Sequence, residues 1–194
     1  MAPTRRKSPS PVAPPARQRG SNGVAKVPET SNGGPLARHE LLGLSRERLV
    51  QMFETMLLAR AVDERQWVLN RQGKQPFHIS CQGHEGSGVG SAFALDLSRD
   101  VMVPYYRSLA AVMAFGMTAR DIMLSALAKA DDPASGGRQM PAHYGHAGLR
   151  ILTSGSPVAT QIPHATGAAL ASKIRGDGGV SITYFGDGAS SKGD

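Results

Sequence analysis

At 194 residues and 40% hydrophobic content, the chain has room for one packed domain, or one domain and a tail. Its net charge of +7 is concentrated in residues 1–39, which hold seven basic side chains and one acid, so the remainder stands at only +1 and a basic nucleic-acid-binding protein becomes a remote alternative. A lone cysteine, Cys81, excludes an internal disulfide and fits a reducing compartment, and no apolar run approaches the ~20 residues of a membrane-spanning helix.

Residues 1–38 are rich in Pro, Ser and Gly and are expected to form a disordered basic tail. The segment lacks the apolar stretch of a secretory signal. It is Arg- and Ser-rich like a transit peptide, but its seven prolines disfavour the amphipathic helix such peptides form. The domain is expected over 39–194.

Ser45 can cap a helix running to about Arg71, with Leu49, Phe53, Met56 and Leu57 at helical spacing and Gly73 as its stop. Arg60, Asp63, Glu64 and Arg65 read as a solvated or paired face. Phe77 to Ser80 is a strand candidate. A second helix opens at Gly83-His84-Glu85 and runs to about Leu95. Gly86, Gly88 and Gly90 leave its start without bulk, which suits either tight helix packing or close ligand approach. His84 and Glu85 are adjacent and do not face each other, so a structural first-turn role is expected rather than an acid–base pair.

Val101-Met102-Val103 is a short strand ending in Pro104-Tyr105-Tyr106-Arg107, followed by a helix over Leu109–Phe115. Thr118 caps the next helix, to about Ala130, with Asp121 placed for a capping box. Asp131 to Arg150, with six Gly and Pro positions, reads as a long loop, and such loops are often functional. Pro157 or Pro163 starts a helix that ends before Gly176. Val180 to Phe185 reads as a buried strand closed by Gly186-Asp187-Gly188. Helices alternating with short apolar strands predict an α/β domain with a parallel sheet, whose ligands sit at the C-terminal strand ends.

Tyr105-Tyr106-Arg107 and Gly186-Asp187-Gly188 both stand at such ends. A carboxylate flanked by glycines can hold Mg²⁺ beside a phosphate, although Asp-Gly is also an ordinary turn. Arg107 suits a diphosphate oxygen or a structural ion pair. Ser154 to Gln161 offers backbone donors and neutral oxygens to a ligand, or simple capping by Ser154 or Ser156. The histidines form no recognisable zinc pattern with Cys81, and no Walker loop is present.

Five runs in this order carry a resemblance. They are Gln82-Gly83-His84-Glu85, Pro104-Tyr105-Tyr106-Arg107, the stretch from Gly137 to Gly145, the stretch from Ser156 to Ala165, and Tyr184 to Ser190. Over residues 45–194 the chain resembles the alpha subunit of the decarboxylating component of branched-chain 2-oxoacid dehydrogenase complexes, more than the pyruvate or acetoin counterparts. The resemblance implies a thiamine-diphosphate-binding fold, with thiamine diphosphate and Mg²⁺ as cofactors.

By that resemblance, Tyr106 and Arg107 contact the cofactor, Ser156 and Val158 lie beside its aminopyrimidine, and Gly186, Gly188 and Ala189 flank the diphosphate. Asp187 matches the first Mg²⁺ ligand. Phe77 and Tyr106 match an acyl-pocket wall. Pro157, Thr160 and Gln161, with Gly155, match a K⁺ loop of some members, in which Ser often stands at the position of Gly155. Arg138 and His143 lie in the matching loop without an assigned step. The glutamate that activates the pyrimidine belongs to a separate beta subunit, so Glu85 does not have that role.

The implied assembly is two alpha plus two beta chains, passing an acyl group to a lipoyl-bearing acyltransferase. It implies a bacterial cytoplasmic location, or the mitochondrial matrix. A later Asn-Asn metal segment is absent before Asp194, so the chain reads as an N-terminal piece, expected to be poorly stable and inactive alone. A catalytically silent scaffold is the remaining alternative.

Overall fold

A computed structural model describes residues 38–153 and 155–193. Residues 1–37 of the basic tail read from the sequence lie outside the described residues. The structure divides into two units, with the boundary after Gly43. The described part of the first unit is one helical turn, α1 (Arg38–Leu41). All that follows belongs to the second.

Helix α2 (Arg46–Arg71) starts where its cap dictates, the Ser45 side chain accepting from Arg48 N at 3.2 Å. Gly73, at φ +70°, lets the chain turn away after it. The buried face differs from the one expected. Phe53 and Leu57 are exposed, and Ala59, Val62, Asp63, Gln66 and Leu69 face inward. Asp63 is therefore not part of a solvated face. Arg60 is paired, its Nε donating to Glu85 Oε1 at 2.7 Å.

Residues 77–80 are extended but pair with no strand, contrary to the expectation for Phe77–Ser80. Side chains supply what a neighbouring strand would: Gln75 Nε2 donates to Phe77 O at 2.7 Å and Asp63 Oδ1 accepts from Cys81 N at 2.8 Å. Helix α3 (Glu85–Ala92) is shorter than expected. Its Gly88 lies against α4 (Leu109–Ala114), where an added Cβ would stand 2.9 Å from Ala111 N. Tight packing thus explains this glycine. Glu85 holds the start of α3 by accepting from Arg60 and from Gly83 N, and the Arg60 hydrogen bond keeps its carboxyl below the usual range.

Strands β1 (Val101–Val103) and β2 (Ser181–Thr183) pair in parallel, Met102 opposite Ile182. A parallel bridge from Met102 to Ile151 covers the other edge of β1. The strand expected over Val180–Phe185 is shorter and only half-buried, with Val180 and Phe185 exposed, because no further strand among the described residues covers its outer edge. Helix α5 (Ala119–Ala126) ends earlier than expected but has the Thr118–Asp121 capping box, an arrangement worth about 1 kcal/mol. Helix α6 (Gln161–Arg175) starts between the two candidate prolines and packs along both strands. Its cap is Thr160, whose side chain makes no capping bond, so Ser156 is not the cap, and Ser154 lies outside the described residues.

The core joins Ala59 and Val62 of α2, Val89 of α3, Met102 of β1, most of α4, and Phe115, Tyr144 and Ile151. Burying a side chain such as Met102 or Leu109 is worth roughly 1.5–3 kcal/mol. The loop from Asp131 to Arg150 is built around the buried Asp132 carboxylate, which accepts from the N–H groups of Ala134, Ser135 and Gly137 and from the Ser135 hydroxyl. No helix among the described residues is long and apolar enough to cross a membrane.

Candidate functional site

The ends of β1 and β2 open onto a cleft of about 430 Å³. Tyr106 and Arg107 reach it from β1. Gly186, Asp187, Gly188 and Ala189 reach it from the 3₁₀ turn after β2, and Ser156 and Val158 from the loop ahead of α6. Every residue that the sequence put around a cofactor thus lines one cavity. The parallel register explains this: Val103 and Thr183 are partners, so the chain leaves both strands at the same level.

Two opposite charges face this cleft without meeting. Among the described residues Arg107 has no acidic partner, and its guanidinium carbon lies 5.2 Å from the Tyr106 ring centroid. The Asp187 carboxylate likewise has no ion-pair partner among them. No group of three or more His, Cys, Asp or Glu side chains is gathered around Asp187 or elsewhere among the described residues. A Cβ on Gly186 or Gly188 would meet nothing within 4 Å, so the backbone there is open to close approach.

The loop ahead of α6 is held from three sides. Gln161 Nε2 donates to Tyr184 O at 3.0 Å, and the Thr160 hydroxyl donates to Pro157 O at 3.0 Å. His143 Nε2 lies 2.7 Å from Ser156 Oγ. The neighbouring Ala159 is buried and sits at φ +73°, a left-handed conformation costly for a residue with a side chain. Gln161, Thr160 and Pro157 therefore brace the loop whatever else they bind.

A second cavity of about 370 Å³ adjoins the first through Tyr106, Gly155 and Ser156. Its other walls are Phe77, Ile79, Met140, Ala142 and His143, so it is largely apolar with one polar corner. Phe77 and Tyr106 were expected in such a wall. Ile79, Met140 and Ala142 were not, because nothing in local spacing tells which side of an extended segment or loop will face inward. Arg138 turns back onto its own loop, donating to Ser135 O at 2.8 Å. Cys81 lies behind Tyr106, its thiol 3.6 Å from Tyr106 O and pushed up to about 12 by burial.

The sequence is similar to those of known proteins. A protein of Bacillus subtilis named 2-oxoisovalerate dehydrogenase subunit alpha is 55% identical over 157 residues, 81% of this chain and 48% of its own length. Mitochondrial proteins of the same name from Dictyostelium discoideum and Homo sapiens are 37% and 38% identical, over 77% and 78% of this chain and 34% of theirs. The chain thus spans about half the length of the first of these relatives and a third of the other two. Residues 53–194, which hold both strands, both cavities and the Arg107 and Asp187 side chains, match the family described as "Dehydrogenase E1 component", and the chain belongs to that family.

Proposed function

We propose that this chain provides the diphosphate- and metal-binding part of a thiamine-diphosphate-dependent alpha subunit that oxidatively decarboxylates branched-chain 2-oxoacids such as 3-methyl-2-oxobutanoate. The observation that carries this reading is the convergence of Arg107 and Asp187 on one cleft without an ion pair between them. A group that is anionic toward Arg107 and brings a cation toward Asp187 would join them, and a Mg²⁺–diphosphate has that form. Bound there, thiamine diphosphate supplies the electron sink that decarboxylation of a 2-oxoacid requires.

In this reading Arg107 would donate charge-assisted hydrogen bonds to the diphosphate, and the Asp187 carboxylate would help hold Mg²⁺. Gly186, Gly188 and Ala189 let backbone approach the phosphate, while Tyr106, Ser156 and Val158 flank the rings. The apolar cavity with Phe77 takes the branched acyl group, and its lining favours that group over the methyl of pyruvate. Oxygens of Pro157, Thr160 and Gln161 are the candidate ligands of a K⁺ ion. Residues 39–194 are read as a cofactor-binding domain.

The partner in this reading is a beta subunit, in a two-alpha, two-beta assembly that passes its acyl group to a lipoyl-bearing acyltransferase. The half-covered β2 and the exposed Leu170 and Ile174 of α6 are surfaces for such a partner. Calorimetric titration of the assembled enzyme with thiamine diphosphate, with and without Mg²⁺, tests the cofactor. Turnover of 3-methyl-2-oxobutanoate against pyruvate tests the substrate. Cofactor affinity indifferent to Mg²⁺, or a preference for pyruvate, would count against the reading.

A further inference from the structure

The extended segment from Phe77 to Cys81 alternates between two surroundings. Phe77 and Ile79 line the apolar cavity. His78 and Ser80 turn the other way, toward α2: the His78 ring stands edge-on to Trp67 at 5.7 Å, and the Ser80 hydroxyl donates to Asp63 Oδ2 at 2.7 Å. Asp63 is 1% exposed, and its other oxygen accepts from Cys81 N at 2.8 Å. His78 Nε2 lies 3.4 Å from the same oxygen, close but without hydrogen-bond geometry. A buried carboxylate is costly unless it is hydrogen-bonded on both oxygens, and here both bonds come from the one segment that walls the cavity.

The segment has no strand partner to set its register, so Gln75 takes that place at Phe77 and Asp63 at Ser80 and Cys81. Its reach extends to a second wall, because Cys81, held at its N–H by Asp63, places its thiol against Tyr106 O at 3.6 Å. Gln75 holds the Phe77 end, donating to Phe77 O at 2.7 Å, while the Ile79 end and Tyr106 rest on Asp63, which lines none of the cavity itself. A hydrophobic pocket distinguishes ligands differing by a methylene roughly 10- to 200-fold, and only while its walls stay in place.

We propose that Asp63 is the positioning residue of the apolar cavity, setting through Ser80 and Cys81 the wall that selects the branched acyl group. This rests on the functional reading above. Asp63 lines no part of the cofactor cleft and reaches it only indirectly, through Cys81 and Tyr106, so its loss should change acyl selection far more than cofactor binding.

The test uses the alpha chain assembled with its partner and compares kcat/KM for 3-methyl-2-oxobutanoate and for pyruvate, cofactor affinity, and hydrogen exchange at the Cys81 amide. Asp63→Ala should lower the branched-to-pyruvate kcat/KM ratio by about tenfold or more, chiefly through KM for the branched substrate. Cofactor affinity should stay within about twofold, and the Cys81 amide should exchange faster. Asp63→Asn, which keeps an acceptor for Cys81 N–H, should restore most of the ratio. If Asp63→Ala does not fold, Ser80→Ala removes one of the two bonds, and a smaller fall in the same ratio is expected.

A branched-selective enzyme whose ratio is unchanged in Asp63→Ala, or in Ser80→Ala where Asp63→Ala does not fold, overturns the proposal alone. An unsubstituted enzyme that turns over neither 2-oxoacid overturns the functional reading and the selection claim with it.

Discussion

His143 Nε2 lies 2.7 Å from the Ser156 hydroxyl, tying the long loop after α5 to the loop ahead of α6 where the two cavities meet. His143 Nδ1 faces two carbonyl oxygens, Met140 O at 3.1 Å and Pro141 O at 3.3 Å. A neutral imidazole there carries its proton on Nδ1 and accepts from the Ser156 hydroxyl through Nε2.

Removing either end of that bond should loosen the Ser156 loop. A neutral hydrogen bond contributes about 0.5–1.5 kcal/mol, so His143→Ala and Ser156→Ala are each expected to weaken thiamine diphosphate binding by about 2- to 12-fold. The double substitution should cost little more than either single one. Calorimetry on all four proteins measures that coupling, and strict additivity would show that the two side chains act separately.

Arg107 faces the cleft with a full charge and no acidic partner among the described residues. Charge-assisted bonds contribute about 1.5–3 kcal/mol, so Arg107→Ala should reduce cofactor affinity roughly 10- to 100-fold. Arg107→Lys should recover part of it, since the charge remains and the paired donors do not. Unchanged affinity in Arg107→Ala would remove this residue from the diphosphate site.

Gly137 is a structural position, in contrast to Gly186. At φ +76°, its added Cβ would stand 2.6 Å from the Ala128 carbonyl carbon, and backbone cannot give way as a flexible side chain can. Gly137→Ala should destabilise the protein by about 2–4 kcal/mol and lower its Tm by roughly 5–12 °C. Gly186→Ala, with open space around it and an ordinary φ of −75°, should unfold within about 0.5 kcal/mol of the unsubstituted protein. Denaturant midpoints of both variants check the contrast.

His78 should make stability sensitive to mild acid. Burial pulls its pKa below the ordinary 6.5, with Asp63 partly opposing. The unfolded chain therefore binds the proton at a higher pH than the folded one, and stability falls as pH drops from about 6.5 toward the folded value. The slope from this group is at most about 1.4 kcal/mol per pH unit. Urea midpoints at pH 7.5 and 5.5 should differ less in His78→Phe than in the unsubstituted protein.

Local chemistry made much of this fold legible. Ser45 and the Thr118–Asp121 box mark helix starts because a cap depends on residues within three positions of one another. Val101–Val103 reads as a strand from its own short apolar run, while of the two readings open for Gly88, packing and ligand approach, the contact with Ala111 decided for packing. The residues of the strand-end cleft were legible for a related reason. Arg107 and Asp187 follow short apolar runs, and the C-terminal ends of parallel strands are where ligands of such sheets bind.

What local pattern could not decide was direction and pairing. Leu49, Phe53, Met56 and Leu57 promised the buried face of α2, yet Phe53 and Leu57 are exposed. The inner face is set by what packs there: the small residues of α3 and α4, and the polar needs of residues 75–81. Phe77–Ser80 has the composition of a strand, but a strand requires a partner, and here Asp63 and Gln75 satisfy the backbone instead. The sequence by itself determined where α2 and α5 begin, where β1 lies and that Arg107 and Asp187 would stand at strand ends, since each depends on neighbours in the chain. Tertiary structure alone decided that Asp63 is buried, that His143 meets Ser156, and that Ile79 and Met140 share a cavity, because those contacts join residues that only folding brings together.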